Sequence, residues 1–158
     1  MKKWSILIFL VILIAIWQAF TVYNDAFEPK RLMEEKALKR AEKEVAFTSI
    51  EEIYTYYGSQ AYVVIVGTDE DDEKIIAWVP ENMDDVIIAK QEDGISKQEA
   101  ISILKAERNP QEIISVKLGM EKGVPLWELK YIDEENRYSF YYLSFEDGTF
   151  IQRYSFQQ

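Results

Sequence analysis

Residues 95–110 read ISKQEAISILKAERNP, and the fold is decided here. Ser96 and Glu99 have the spacing of a capping box: the serine oxygen accepts from the Glu99 amide, and the glutamate reaches back to the Ser96 amide. Ala100, Ile101, Ile103, Leu104 and Ala106 supply one apolar face at helical spacing. Asn109-Pro110 closes the helix, because the residue ahead of a proline avoids the helical region. Four strand-like runs follow, at 112–120, 126–132, 137–145 and 149–156. In the second of them Trp127, Leu129 and Tyr131 alternate with Glu128 and Lys130, the pattern of a half-buried strand. Asp147-Gly148 is a strong hairpin signal ahead of the last run.

The same order stands upstream. Pro29 suits the first turn of a helix, and 30–47 is rich in Ala, Leu, Lys and Glu. Met33, Ala37, Leu38, Ala41 and Val45 form its apolar stripe. Strand-like runs then occupy 53–57, 61–66, 74–79 and 84–89, with a turn at Gly58-Ser59 and a loop at 67–73. Tyr62 aligns with Leu126, Ile76 with Phe140, Val86 with Phe150 and Glu35 with Glu99. The offset is about 64 residues throughout, as in a duplicated supersecondary unit. The fold class is therefore α+β. Two units, 30–90 and 91–158, each lay a helix on a four-stranded antiparallel sheet. Neither is large enough for an independent core, so the two are expected to pack together.

Ahead of the units lies 4–23, WSILIFLVILIAIWQAFTVY, with no charged residue. About 20 residues at roughly 1.5 Å each reach about 30 Å, the thickness of a bilayer core. Trp4, Trp17 and Tyr23 sit near its ends, where amphipathic rings favour the headgroups. The run is longer than the apolar core of a signal peptide and lacks a clear small-residue cleavage site, so an uncleaved transmembrane anchor is the expectation. A linker at 24–29 would join it to the first unit. Lys2 and Lys3 face Lys30, Arg31 and Lys36 across the run, a near tie in basic charge. The expected topology puts the tail at 1–3 in the cytoplasm and both units outside the cell membrane.

Composition restricts the chemistry. The sequence has no cysteine and no histidine. Disulfides, thiol nucleophiles, lipidated cysteines, the Ser-His-Asp triad and most zinc sites are thereby excluded. A net charge of −10 argues against nucleic acid as a partner, since both would be polyanions. The acidic run 69–73 lacks the ligand spacing and glycine of a calcium loop and reads as a solvated hairpin tip. Asp84-Asp85 and Glu134-Glu135 are not glycosidase pairs, because adjacent strand residues point to opposite faces. No glycine-rich phosphate loop is present. No catalytic, metal or cofactor site is expected. Aromatic residues are more abundant than a small core can hide, and Tyr and Trp are favoured at interfaces. Trp127, Tyr131, Tyr141 and Tyr154 are the candidate partner-binding residues.

A single anchor, the tandem of helix and four strands, and the FEDGTF hairpin at 145–150 together make the chain similar to a known family. It resembles the YpmB/TseB-like cell wall elongation regulators, membrane-anchored proteins with two PepSY-like (cystatin-like) domains. The first unit departs from the pattern at Pro80-Glu81-Asn82-Met83, which has no glycine. The resemblance implies a single-pass Gram-positive protein that faces the wall and acts by binding, with a monofunctional penicillin-binding protein as partner. It supplies no catalytic residues. The alternative is a PepSY-like inhibitor or chaperone of an extracytoplasmic protease.

Overall fold

The computed structural model describes residues 2–157, apart from the side chains of 2–3, 5–8, 22 and 24–27. Of the expected tail, Met1 and the side chains of 2–3 lie outside the described residues, as do the side chains of most of the expected linker. Among the described residues two helices and eight strands make up the fold. They are α1 (Lys2–Ala41), β1 (Phe47–Tyr57), β2 (Ala61–Asp69), β3 (Lys74–Pro80), β4 (Ile87–Lys90), α2 (Lys97–Arg108), β5 (Glu112–Glu121), β6 (Val124–Ile132), β7 (Tyr138–Ser144) and β8 (Phe150–Phe156). A 3-10 turn at Gln91–Asp93 joins the halves. The strands form two separate antiparallel sheets, β1-β2-β3-β4 and β5-β6-β7-β8. Each is a plain meander with one helix on it, so the duplicated α+β unit read from the sequence is the architecture.

Several boundaries differ from the sequence reading; β4, for one, starts at Ile87 where a run from 84 is expected. The backbone stays helical through 24–29, where a linker is expected, and Pro29 lies inside α1 rather than at its start. The helix then ends at Ala41, not at 47. Phe47 already belongs to β1, paired opposite Asp69. Good helix formers on both sides of Pro29 outweigh the single hydrogen bond that the proline removes. Among the described residues no helix is long and apolar enough to cross a membrane. Five positions of the apolar run, 5–8 and 22, have side chains outside the described residues.

The C-terminal third of α1 covers one face of the first sheet. Ala37 and Ala41, one turn apart, bring the helix close to Val63, Ile65, Ala77 and Val79, all fully buried. The other face carries Tyr56, Tyr62, Val64, Ile76 and Trp78, which join the core of the second unit. This explains why 61–66 (AYVVIV) shows no polar alternation: β2 is covered on both sides.

In the second unit α2 begins as its sequence requires. Ser96 Oγ accepts from the Glu99 amide at 3.2 Å, and Glu99 accepts from the Ser96 amide at 2.8 Å. Asn109 ends the helix in the left-handed conformation at φ 43°. Ala100 and Leu104 are its buried residues, and they share one core with Leu129, Tyr131 and Tyr141.

The units meet along β5. The Tyr54 hydroxyl donates to the Leu118 carbonyl at 3.1 Å and accepts from the Leu118 amide at 3.0 Å. One phenol therefore satisfies both outward-facing backbone groups of an edge residue. Beside it, Gly119 lies under the Tyr56 ring so closely that a Cβ would stand 2.6 Å from it. Trp78 meets Phe145 edge-on at 5.6 Å. In the first unit Met83 takes φ 60°, supplying without glycine the turn that leads toward β4.

Candidate binding face

The strand alternation of the second sheet decides which aromatics can meet a partner. On β6, Trp127, Leu129 and Tyr131 point toward α2, and Tyr141 on β7 pairs with Leu129 on the same side. The Trp127 indole donates to the Ile95 carbonyl at 2.9 Å, across the start of α2. Tyr131 and Tyr141 are fully buried, and Trp127 is nearly so. The Tyr141 hydroxyl donates to Glu107 on α2. Burial first, and then the Glu107 carboxylate, push its pKa up to about 12. Three of the four residues expected to bind a partner are therefore core residues. The helix covers the very face that their alternation selects. Tyr154 alone is accessible, at 47% exposure.

The opposite face has no helix. Past a bulge at Tyr142/Leu143, the register pairs Tyr138 with Phe156, Phe140 with Tyr154, and Tyr142 with Gln152. Five aromatics thus form a ladder over two strands. Phe140 and Phe156 meet edge-on at 6.1 Å, as do Tyr142 and Tyr154 at 5.9 Å, a geometry that contributes beyond simple burial. Lys130 from β6 lies over the Tyr138 and Phe140 rings at 5.1 and 5.5 Å, a cation–π arrangement. The outer rim is open: Tyr138 is 40% and Phe156 58% exposed. The inner rim closes against the first unit, where Glu128 accepts from the Tyr142 hydroxyl at 2.9 Å. Burial, and then the charge of Glu128, raise both Tyr142 and Tyr56 well above the usual phenol range. These phenols stay protonated near neutrality, so they offer contact and hydrogen bonds rather than a nucleophile. β8 is also the outer strand of its sheet, bonded only on its β7 side.

Tyr138, Phe140 and Phe156 were not selected from the sequence. Their shared parity with Tyr142 and Tyr154 is the signal that marks them, and it becomes usable only once α2 is assigned to the other face. The acidic run 69–73 has its own structural role. Asp69 Oδ1 accepts from the amides of Asp71 and Glu73 at 3.0 and 2.9 Å, while Glu73 pairs with Lys90. Among the described residues no group of three acidic side chains could hold a metal ion.

Comparison with known proteins agrees with this architecture. Residues 36–80 match the family described as "Cell wall elongation regulator TseB-like domain". Residues 94–154 match PepSY, described as "Peptidase propeptide and YPEB domain". The chain is 31% identical over 147 residues to the Bacillus subtilis (strain 168) protein described as "Probable cell wall elongation regulator TseB", covering 92% of this chain and 89% of that protein. A solved structure, the YpmB protein from Bacillus subtilis, superposes with a TM-score of 0.72 at 30% identity, over 77% of this chain and 95% of that one. The chain belongs to the family of TseB-like cell wall elongation regulators.

Proposed function

We propose that this protein is a non-catalytic, membrane-anchored binding module. In this reading it holds a protein of the wall-synthesis machinery against the open face of its second sheet. The observation that carries the reading is the exposed set Tyr138, Tyr154 and Phe156 around the half-buried Phe140, beside an outer strand. Exposed aromatic clusters of this kind are typical of interface centres, and an outer strand can accept a further strand from a partner. The partner we propose is a penicillin-binding protein, the class implied by the family resemblance. Capture from membranes by the full chain tests this. Tyr154→Ser with Phe156→Ser should reduce recovery of the penicillin-binding protein at least tenfold while the protein stays folded. Undiminished recovery overturns the assigned face.

Anchoring is supported by the N-terminal half of α1. Trp4, Phe9 to Ile14, Ile16, Trp17, Phe20 and Tyr23 are all exposed around the helix, and a helix that is apolar all round belongs in an apolar environment. Tethering raises the effective concentration of both partners at the membrane. Protease treatment of intact spheroplasts should remove the two sheet units; loss of only the N-terminal tail overturns the topology. A second reading, an inhibitor or chaperone of an extracytoplasmic protease, is favoured by the PepSY match at 94–154. Recovery of proteases alone in the same capture experiment would select it.

A further inference from the structure

A second feature, independent of the aromatic face, lies at the C-terminal end of α2. There the turn between β6 and β7 and the strand β8 border an open cavity of about 300 Å³. Its wall includes Glu107, Arg108, Tyr131, Asp133, Arg137 and Arg153. The balance of donors and acceptors around it is uneven.

Every acid of the wall already has a partner. Glu107 accepts from Tyr141, and Glu134 accepts from the Asn109 side chain at 2.8 Å. Glu135 pairs with Arg137 at 2.8 Å. Asp133 accepts from the Arg137 Nε at 2.9 Å, the Arg137 amide and the Glu135 amide at 3.0 Å, and the Ser139 hydroxyl at 3.0 Å. Arg137 is used up by these acids and Arg108 lies over the Tyr141 ring at 5.6 Å, but two buried donor atoms are left over. The Tyr131 hydroxyl and the Arg108 Nε are buried with no hydrogen-bond partner among the described residues. Arg153 spends two nitrogens on the neutral Ser155 hydroxyl, at 3.3 and 3.1 Å, and its Nη2 stands 3.9 Å from Asp133. Tyr131 is fully buried, so its orphaned hydroxyl is a polar group that a protein interior normally satisfies.

We propose that this cavity binds a free carboxylate, of an amino acid or of the C-terminal end of a peptide. A carboxylate is acceptor-only and presents about four lone-pair sites. It matches the fork of a guanidinium and can take the Tyr131 hydroxyl as well. The volume is at the lower end of ligand cavities, which suits one or two residues. The acids at the rim favour a ligand that also carries an ammonium group.

Titration of the full chain in detergent, followed through the arginine Nε–H resonances, tests the assignment. The probes are alanine, alanyl-alanine and alanyl-alanine amide. Saturable binding of a free acid, with the amide at least tenfold weaker, is the expected result. Equal affinity for alanine and the dipeptide assigns an amino acid; a dipeptide tenfold tighter than alanine assigns a peptide end. Arg108→Gln should lose at least tenfold. Tyr131→Phe is the control for folding. It removes one orphaned hydroxyl, so affinity should fall several-fold while the unfolding midpoint stays level or rises. Saturation by neither acid, equal binding of the amide, or a Tyr131→Phe protein that binds normally with a lowered midpoint would overturn the proposal.

Discussion

Tyr54 shows how much one hydroxyl can organise. Its two bonds to Leu118 satisfy backbone groups that would otherwise be buried unpaired between the units. Tyr54→Phe keeps the ring and removes both bonds, so it should lower unfolding stability by about 1–3 kcal/mol in a denaturant titration. Asp133 acts through charge. Burial works against its ionised form, but the hydrogen bonds from Arg137, Ser139 and Glu135 outweigh it and hold the carboxyl down at about 2, from an ordinary value of 3.8. A lowered carboxyl stabilises the fold above its unfolded value, and that contribution fades as pH falls toward the folded one. Stability should therefore drop between about pH 4 and pH 2, and Asp133→Asn should flatten that limb in pH-dependent thermal melts. The proposed contact face was only partly legible at this scale. Of the four candidates read from the sequence, Tyr154 is the one the fold leaves exposed. Trp127, Tyr131 and Tyr141 looked equivalent to it because aromatic character alone does not say which face a helix covers.

At the level of elements, helices with chemical punctuation were readable and one without it was not. The limits of α2 follow from Ser96, Glu99 and Asn109-Pro110, each acting on backbone groups within four residues. Ser96→Ala should cost about 1 kcal/mol, within the usual range for an N-cap, measurable as a lower midpoint in chemical denaturation. Hydrogen bonds from Ser96 lower the Glu99 pKa as well, as a working capping box should. α1 lacks such signals. Pro29 resembles a start but sits in the interior. The true end at Ala41 is imposed by β1, whose pairing with β2 begins at Phe47. Strand pairing with a distant segment is invisible to local propensity. The hairpins behaved better: Gly148 takes its turn at φ 73°, and the β1–β2 turn falls where Gly58-Ser59 marks it, although its loop runs over three residues, 58–60.

Across the whole molecule, the duplication was legible because each unit repeats one sequence of elements at a constant spacing. How the copies dock was not, because the contact uses the α1-free face of the first sheet against the edge of the second. Gly119 records that contact most directly. Gly119→Ala would drive a methyl into the buried Tyr56 ring, with an expected loss of about 1–3 kcal/mol as in other overpacked cores. Because the two units share one core, the loss should appear in a single transition of both sheets, followed by fluorescence of Trp78 and Trp127. Two separate transitions would contradict the shared core.

The sealing of β5 by Tyr54 also limits stoichiometry. A sheet with two free edges can propagate, adding strands at either side without end. In the second sheet β5 is blocked and only β8 remains open. A guest strand added there meets no second site on this sheet, and two copies joined through β8 would close on themselves. That edge is a terminus for assembly, able to form pairs but not filaments.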